Sequence, residues 1–242
     1  MHILTLFFMA LTIFGLGAVV SLVLFRRTRM AHMAASAAAI AGSGSALVVG
    51  CYALARHSVI DASAATTLPL LRLSLHIDPL ASLFMVIVAG VALLTSIYGI
   101  AYMRQYYGEY NLGIFGFFYN LFIASLLLVI TAHNGLYFIF VWELMSLSSL
   151  FLVLFEYRKA ATIAAGLLYF LMTHIATAFL LMAFLLLYHA TGSFDFGIIH
   201  SASGALSPWL RGIVAVCFLI GFGTKAGIIP VHIWLPKAHS AA

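Results

Sequence analysis

Seven long apolar runs constrain this chain more than any other feature of its sequence. A helix that crosses a bilayer needs about 20 mostly apolar residues. The runs are continuous, whereas the strands of a membrane β-barrel would alternate. With 65% hydrophobic and only 7% charged residues, the sequence predicts an all-α polytopic membrane protein. The runs cover roughly residues 3–25, 31–55, 80–103, 114–132, 135–155, 161–188 and 209–235, the last of them interrupted.

The connections between the runs predict little structure outside the membrane. LRLSLHID (residues 71–78) alternates apolar and polar side chains, which is typical of a short β-strand with one wet face. AHNG (132–135) allows only a tight helical hairpin, and the polar segment 187–209 has room for a short interfacial helix. We expect an N-terminal three-helix membrane region over residues 1–113. A second membrane region, with helices four to seven, would follow over residues 114–242.

Basic residues in the connections predict the topology, because cytoplasmic loops of membrane proteins carry an excess of Lys and Arg. FRRTR (25–29) follows the first run rather than preceding it, so that run is not expected to be a cleaved signal. The bias places the N terminus outside the inner membrane, with the predicted strand on the outer side. The loops after the odd-numbered runs hold Arg26, Arg27, Arg29, Arg104, Arg158 and Lys159, and the alternate loops hold Arg56, Arg72 and Arg211.

Several classes of function are excluded by the motifs that are missing. Gly221, Gly223 and Gly227 have the wrong spacing for a dinucleotide-binding loop, and no strand precedes them. Cys51 and Cys217 fall in apolar runs, and no His, Cys and carboxylate cluster predicts a metal site. The net charge of +5 is a topology signal, since no basic surface is combined with aromatic platforms for nucleic acid. We expect no cofactor, no metal and no nucleic-acid partner.

Three ionisable residues lie inside the apolar runs. They are Glu143 in the fifth run, His174 in the sixth and Lys225 in the seventh. Charged side chains within membrane spans are costly and mark functional sites by default. The alternatives are a structural hydrogen-bonding role for His174 and snorkelling for the glutamate or the lysine. We interpret all three as a proton pathway.

The seventh run combines the lysine with helix-breaking residues. Pro230 removes a backbone donor and clashes with the carbonyl four residues earlier, so we expect the helix to break near Pro230, with Gly223 and Gly227 contributing. Discontinuous membrane helices line ion and substrate sites in transporters. The break would therefore let water reach Lys225.

A glutamate and a lysine in this setting could act as a proton switch. Burial favours the neutral form of each group, and an opposite charge nearby favours the charged form. A pair that closes and opens would therefore bind and release a proton, with His174 relaying between the lysine and water. Secondary candidates for the pathway are Ser146, Thr173, Thr177, His232, Lys237 and His239.

Four stretches resemble the antiporter-like membrane subunits of complex I and related hydrogenases, most of all the hydrogenase-4 and formate hydrogenlyase branch. They are HIDPLASLF (76–84), VWELMSLSSLFLV (141–153), YFLMTHIATAFLLMAF (169–184) and GFGTKAGIIPVHIWLPKAHSAA (221–242). The resemblance implies proton translocation, with Glu143 as the glutamate of the fifth span and Lys225 as the lysine of the broken seventh. It also implies partner membrane subunits and a peripheral redox arm. By this resemblance, residues 114–242 would be an incomplete first antiporter-like repeat. Members of the family continue into an eighth span and an inverted second repeat, so we expect this chain to be truncated or a fragment.

Three functions follow as alternatives. The first is a proton-translocating subunit of a hydrogenase-4-like or NADH:quinone oxidoreductase-like complex, in which partner subunits carry the redox chemistry. The second is a subunit of a multisubunit Na⁺/H⁺ antiporter. The third is a non-conducting structural fragment. The WLPKAH segment (234–239) favours the first, because the antiporter relatives more often carry an acidic residue at the position of Lys237.

Overall fold

A computed structural model describes residues 2–65 and 72–241, without the side chains of His2, Ala65 and residues 239–241. It consists of helices with one small sheet, in the order α1 (His2–Val23), α2 (Thr28–Ala55), β1 (Ile60–Ala65), β2 (Arg72–Ile77), α3 (Pro79–Tyr102), α4 (Leu112–Thr131), α5 (Gly135–Val153), α6 (Ala160–Thr191), α7 (Phe196–Ala202), α8 (Pro208–Ala226) and α9 (Trp234–Ala241). Short 3₁₀ turns follow α3, α5 and α7.

Seven of the helices in the described residues are long and apolar enough to cross a membrane: α1 to α6 and α8. The prediction of an all-α, seven-helix membrane protein is confirmed. At 1.5 Å per residue, the 19 residues of α8 span about 28 Å, close to the hydrocarbon thickness of a bilayer. The 32 residues of α6 reach about 48 Å, so this helix extends well beyond the apolar layer.

The sheet between α2 and α3 contains the predicted strand and a second one. The strand β2 covers six of the eight residues predicted from alternation, and it pairs with β1 in a two-stranded sheet. The sequence of β1, IDASAA, also alternates, but most of its apolar positions are alanines. Because Asp and Ala are depleted in strands, the alternation is a weak signal and did not lead to a prediction. The short helix α7 lies in the segment 187–209, as the sequence predicts.

The helices fall into two compact units, the first built on α1–α4 and the second on α5–α9, with the sheet contributing to both. The fourth helix belongs to the first unit because it packs closely on α1. Ser21 donates a hydrogen bond to the carbonyl of Gly113 at 2.8 Å, and a Cβ at Gly116 would meet Ser21 and Ala35. Small residues of this kind let membrane helices approach. The predicted boundary at residue 113, which concerns a sequence repeat, stays a prediction.

Side-chain caps fix where several helices begin in both units. The Asp78 carboxylate accepts from the Ala81 amide at 2.7 Å, and Asn134 accepts from Leu136 and Tyr137 at 3.1 and 3.0 Å. Ser207 caps α8 in the same way. Asn and Asp satisfy the free amides of a first helical turn, so these residues set the register of the spans that follow. For α5, that register determines which side chains face α6.

Candidate functional site

Lys225 lies in the last turn of α8, where the seventh span breaks. The helix ends at Ala226 because Gly227 adopts the left-handed conformation, with φ of 78°. The Ile228 amide then donates to the Gly223 carbonyl at 2.9 Å and the Gly227 amide to the Thr224 carbonyl at 3.3 Å. This pair of bonds is a Schellman motif, which a glycine forms without a Cβ penalty. A cation here is also favoured by the helix dipole.

The predicted break is confirmed, and its geometry is more specific than the sequence indicated. Pro230 lies in the turn that follows, after a cis peptide bond with Ile229. The last helical residue, Ala226, is the one whose carbonyl the proline ring would meet in a continuous helix. The chain resumes as α9 at Trp234. The glycine thus ends the helix, and the proline prevents it from continuing.

Trp234 ties the two halves of the broken helix together. Its indole Nε1 donates a hydrogen bond to the Thr224 carbonyl at 2.7 Å, which gives this carbonyl a second donor beside the Gly227 amide. The ring packs edge-on against Tyr169 with centroids 5.1 Å apart. Together with Leu150 and Ala238, these two aromatic side chains form a buried cluster. The start of α9 is therefore fixed against α5 and α6.

The Lys225 amine contacts hydroxyl groups and aromatic rings. Nζ donates to the Tyr169 hydroxyl at 2.7 Å and to Ser146 Oγ at 3.2 Å. It also lies 5.0 Å from the Tyr169 ring centroid and 5.8 Å from that of Trp142. Hydroxyl oxygens and π faces attract a cation without neutralising it. The lysine is thus held in a site that solvates the amine but offers no counter-charge in direct contact.

A directed chain of hydrogen bonds continues from the lysine. The Ser149 hydroxyl donates to the Ser146 carbonyl at 2.9 Å, so its oxygen must accept from Tyr169, which lies 2.5 Å away. The Tyr169 hydroxyl has one proton, and it therefore accepts from Lys225. The chain ends at a carbonyl, which cannot accept a proton at neutral pH. It positions the amine and does not conduct its proton onward.

Glu143 and His174 form a second contact in the same unit. The His174 Nδ1 lies 2.9 Å from the Phe170 carbonyl, which can only accept, so Nδ1 carries a hydrogen. Nε2 then faces Glu143 Oε2 at 3.3 Å. The other carboxylate oxygen, Oε1, is buried and accepts no hydrogen bond from any residue that the structure describes. Both side chains are partly exposed, at 25% for the glutamate and 37% for the histidine.

The two contacts are neighbours along α5. Ser146, which binds the lysine, follows Glu143 by three residues, and residues three apart share a helix face. Glu143 is close enough to act electrostatically on Lys225 and Tyr169. No hydrogen bond or salt bridge joins Glu143 to Lys225 within the described ranges. The histidine, which we expected to serve the lysine, contacts the glutamate.

The secondary candidates are placed differently. The Thr173 and Thr177 hydroxyls donate to backbone carbonyls of their own helix, Thr173 to Tyr169 and Thr177 to Thr173. His232 has a buried Nδ1 without a partner in the described part of the chain, and Lys237 is exposed. The side chain of His239 lies outside the described residues.

The site also contains residues that the sequence did not predict. Tyr169, Trp142, Ser149 and Trp234 surround or support the lysine. A phenol or an indole in an apolar run does not stand out, since both are common in membrane helices. One signal in the sequence could have pointed to Tyr169. It lies five residues before His174, in the part of the sixth run that carries its polar residues.

Two parts of the chain match known family models. Residues 132–242 match the model described as "NADH:quinone oxidoreductase/Mrp antiporter, TM". Residues 70–111 match the model described as "NADH-Ubiquinone oxidoreductase (complex I), chain 5 N-terminus". The first match contains all three predicted pathway residues, Glu143, His174 and Lys225.

Among curated relatives, hydrogenase-4 component B of Escherichia coli (strain K12) is 40% identical over 170 residues, which is 70% of this chain and 25% of that protein. The NAD(P)H-quinone oxidoreductase chain 5 of Synechocystis sp. is 36% identical over 168 residues, 67% of this chain and 24% of the relative. The chain spans about a quarter of the length of the curated relatives it matches.

Two solved structures share the fold over 98% of this chain. A chain of the Mrp complex from Dietzia sp. superposes with a TM-score of 0.78 at 23% identity, and 25% of it is covered. A chain of the membrane-bound sulfane sulfur reductase, an archaeal respiratory membrane complex, superposes with a TM-score of 0.82 at 16% identity, and 48% of it is covered. At these identities the likeness concerns the fold alone.

Proposed function

We propose, starting from the fact that the chain belongs to the family of antiporter-like membrane subunits of hydrogenase-4 and complex I, that it translocates protons through Glu143, His174 and Lys225. The observation that carries the proposal is the placement of a carboxylate, an imidazole and an amine within one helical unit in membrane spans. Three ionisable groups inside spans are not retained for stability, because each is costly in an apolar solvent.

The Glu143–His174 contact stores one proton. With Nδ1 engaged at a carbonyl, a neutral imidazole presents the Nε2 lone pair to the carboxylate. Two acceptors at 3.3 Å repel unless one of them is protonated. The pair therefore holds a proton either as imidazolium and carboxylate or as two neutral partners. Oε1 of Glu143, buried and unpaired among the described residues, is an acceptor for an incoming proton.

The lysine supplies the second half of the switch. In the arrangement described, Lys225 binds Ser146 and Tyr169 and has no carboxylate in direct contact. A move of the amine one helical turn along α5 would bring it toward Glu143, where the opposite charge favours the ammonium form. Return to the hydroxyl site removes that stabilisation and favours release of the proton. Ser146 marks the start of this move, because it binds the amine and shares a face of α5 with Glu143, three residues earlier.

The assembly follows from the same family membership. We infer that the chain works in the inner membrane with its N terminus outside, beside other membrane subunits. A peripheral redox arm of hydrogenase or dehydrogenase type would drive the switch. The chain is a multi-pass membrane protein with seven spanning helices in its described part, and it binds the lipid bilayer through their outer faces.

A second candidate is a subunit of a Na⁺/H⁺ antiporter. The observation that favours it is the matched family itself, whose description names the Mrp antiporter beside NADH:quinone oxidoreductase. The two functions share the proton pathway and differ in the coupled process, which is redox chemistry in one and sodium exchange in the other.

Proton uptake by inverted membrane vesicles that contain the complex formed by this chain tests the proposal. We expect Glu143→Gln and Lys225→Ala each to lower the uptake rate at least about tenfold, since each removes a charge state of the switch. The matched controls are Glu156→Gln and Lys159→Ala, which alter a surface ion pair of the same residue types. Wild-type rates in both pathway variants would overturn the proposal. Uptake that requires a sodium gradient would favour the antiporter.

A further inference from the structure

An open groove of about 420 Å³ lies at one end of the first unit, and none of its lining residues belongs to the proposed pathway. Its walls come from the turn between α1 and α2 and the turn that follows α3. The lining residues are Arg27, Thr28, Arg29, Met30, Tyr107 and Gly108. Both turns follow odd-numbered spans, so they lie on the same side of the membrane, the side that the basic residues predict to be cytoplasmic.

One wall of the groove is built on a buried histidine. His32, 3% exposed, holds the Tyr107 hydroxyl at 2.8 Å through Nδ1. The Arg29 guanidinium in turn lies 5.8 Å from the centre of the Tyr107 ring. This stacking directs the arginine into the groove without neutralising it. The Arg29 charge therefore lies beside an aromatic ring that is itself held by a buried histidine.

The positive charge around the groove is not compensated. No salt bridge to a carboxylate in the described ranges involves the four arginines of these turns, which are Arg26, Arg27, Arg29 and Arg104. Glu109 lies in the same turn as Tyr107 but does not line the groove. The helix α2 starts here with no acidic residue in its first turn and no side-chain cap. Its first backbone amides thus add donors to the two arginines that line the groove.

The borders of the groove are apolar. Phe25, Met30 and Met33 are 40%, 51% and 47% exposed, and they continue into the outer faces of α1 and α2. A ligand that fits must combine a negative headgroup with apolar chains that run along these spans. Basic clusters at the cytoplasmic ends of membrane helices attract anionic lipids through the same combination.

We propose that this groove binds the phosphate of an anionic phospholipid, whose acyl chains lie against α1 and α2. Arg27 and Arg29 contact the phosphate oxygens, which the planar guanidinium fits in a bidentate manner. The first amides of α2 complete the headgroup site. Free phosphate has the same oxygens but no acyl chains. A zwitterionic lipid has the acyl chains, but the positive group of its headgroup compensates the charge of its phosphate.

Native mass spectrometry of the full 242-residue chain, delipidated in a neutral maltoside detergent, tests the proposal with three probes. They are phosphatidylglycerol, phosphatidylcholine and inorganic phosphate. We expect one phosphatidylglycerol to be retained and the other two probes to bind weakly or not at all. The double variant R27Q/R29Q should weaken phosphatidylglycerol binding about 25-fold, at roughly fivefold for each interfacial arginine.

The matched control is Arg56→Gln, because Arg56 stacks on Tyr52 at 5.7 Å but does not line the groove. This control should bind like the wild type. Helical content measured by circular dichroism establishes that both variants are folded, and Arg29→Lys, which keeps the charge without the fork, should bind at an intermediate level. Unchanged binding in R27Q/R29Q, an equal loss in Arg56→Gln, or displacement of the lipid by millimolar phosphate would each overturn the proposal.

Discussion

At the scale of single residues, the phenol of Tyr169 organises the lysine site. The residue is 4% exposed, and its hydroxyl lies between Lys225 and Ser149. Because the chain of donors ends at a backbone carbonyl, the hydroxyl has a fixed direction, and it accepts from the amine whether the amine is charged or neutral. Tyr169 therefore acts as a positioning residue in the proposed switch.

We predict that Tyr169→Phe slows proton uptake about tenfold while the chain remains folded. The variant keeps the ring, and with it the contact to Trp234, but removes one of the two hydroxyl partners of Lys225. A hydrogen bond to a charged group contributes about 1.5–3 kcal/mol, enough to shift the position of the amine. The pH dependence of uptake should shift as well, which a loss of packing alone would not cause.

Tyr188→Phe is the control for this prediction. Tyr188 lies in the same helix, its ring stacks on Phe194 at 4.5 Å, and it lies near the end of α6, away from the lysine. We expect it to transport protons at the wild-type rate with the wild-type pH profile. An unaltered profile in Tyr169→Phe would mean that the phenol only fills space.

The sequence predicted the ionisable residues of the site but not the groups that hold them. Glu143, His174 and Lys225 stand out because a charge in an apolar run has no ordinary explanation. Tyr169 does not, since the chain has 11 tyrosines and most need no functional role. Which of them meets the lysine depends on how α6 packs against α8, a long-range contact that no local pattern encodes.

At the scale of elements, the broken seventh span is decided by a glycine. The sequence drew attention to Pro230, because proline is the stronger helix breaker. In the structure, α8 already ends at Ala226, where Gly227 is left-handed and two Schellman bonds close the turn. The position of Lys225, two residues earlier, follows directly from this cap.

We predict that Gly227→Ala destabilises the chain by about 1 kcal/mol, since a side chain in the left-handed region costs about 1–2 kcal/mol. A Cβ there would also meet the end of the Leu235 side chain. Thermal unfolding in detergent, followed by tryptophan fluorescence, should show a lower apparent Tm. Uptake should fall too, because the lysine depends on the same turn.

Gly90→Ala provides the comparison for the glycine prediction. Gly90 lies within α3, and a Cβ there would meet nothing within 4 Å. Alanine favours a helix over glycine, so the apparent Tm should stay the same or rise. Equal losses in the two variants would show that the left-handed turn is not what Gly227 provides.

The strands show the limit of local pattern at this scale. The strand β2 was predicted because its side chains alternate. The segment of β1 alternates too, but through alanine and small polar residues that favour a strand only weakly, and it pairs with β2. Pairing of this kind is set by the partner strand and not by the segment itself.

At the scale of the whole molecule, backbone hydrogen bonds join three connections of the second unit. The His133 amide donates to the Ser74 carbonyl at 2.9 Å, and the Gly135 amide to the Phe194 carbonyl at 2.8 Å. A bridge between Asn134 and Asp195 lies beside them. These bonds place three connections on one side of the membrane: the end of the sheet, the turn between α4 and α5, and the segment before α7. The order of the chain agrees, because the three connections follow the second, fourth and sixth spans, and connections after even-numbered spans lie on the same side.

We predict that this joined side faces outward and that the turn holding Arg26, Arg27 and Arg29 faces the cytoplasm, because six basic residues lie in the odd-numbered loops against three in the others. Single cysteines in a background with Cys51→Ala and Cys217→Ala give the measurement. In intact cells, a membrane-impermeant maleimide should label Ser201→Cys, which replaces an exposed residue near the end of α7. The same reagent should label Thr28→Cys only after the cells are opened.

Ser201→Cys serves as the internal control, since the two positions lie in connections separated by an odd number of spans and cannot share a side. Labelling of Thr28→Cys from outside, with Ser201→Cys protected, would reverse the orientation of every span and would place the arginine groove on the outer surface.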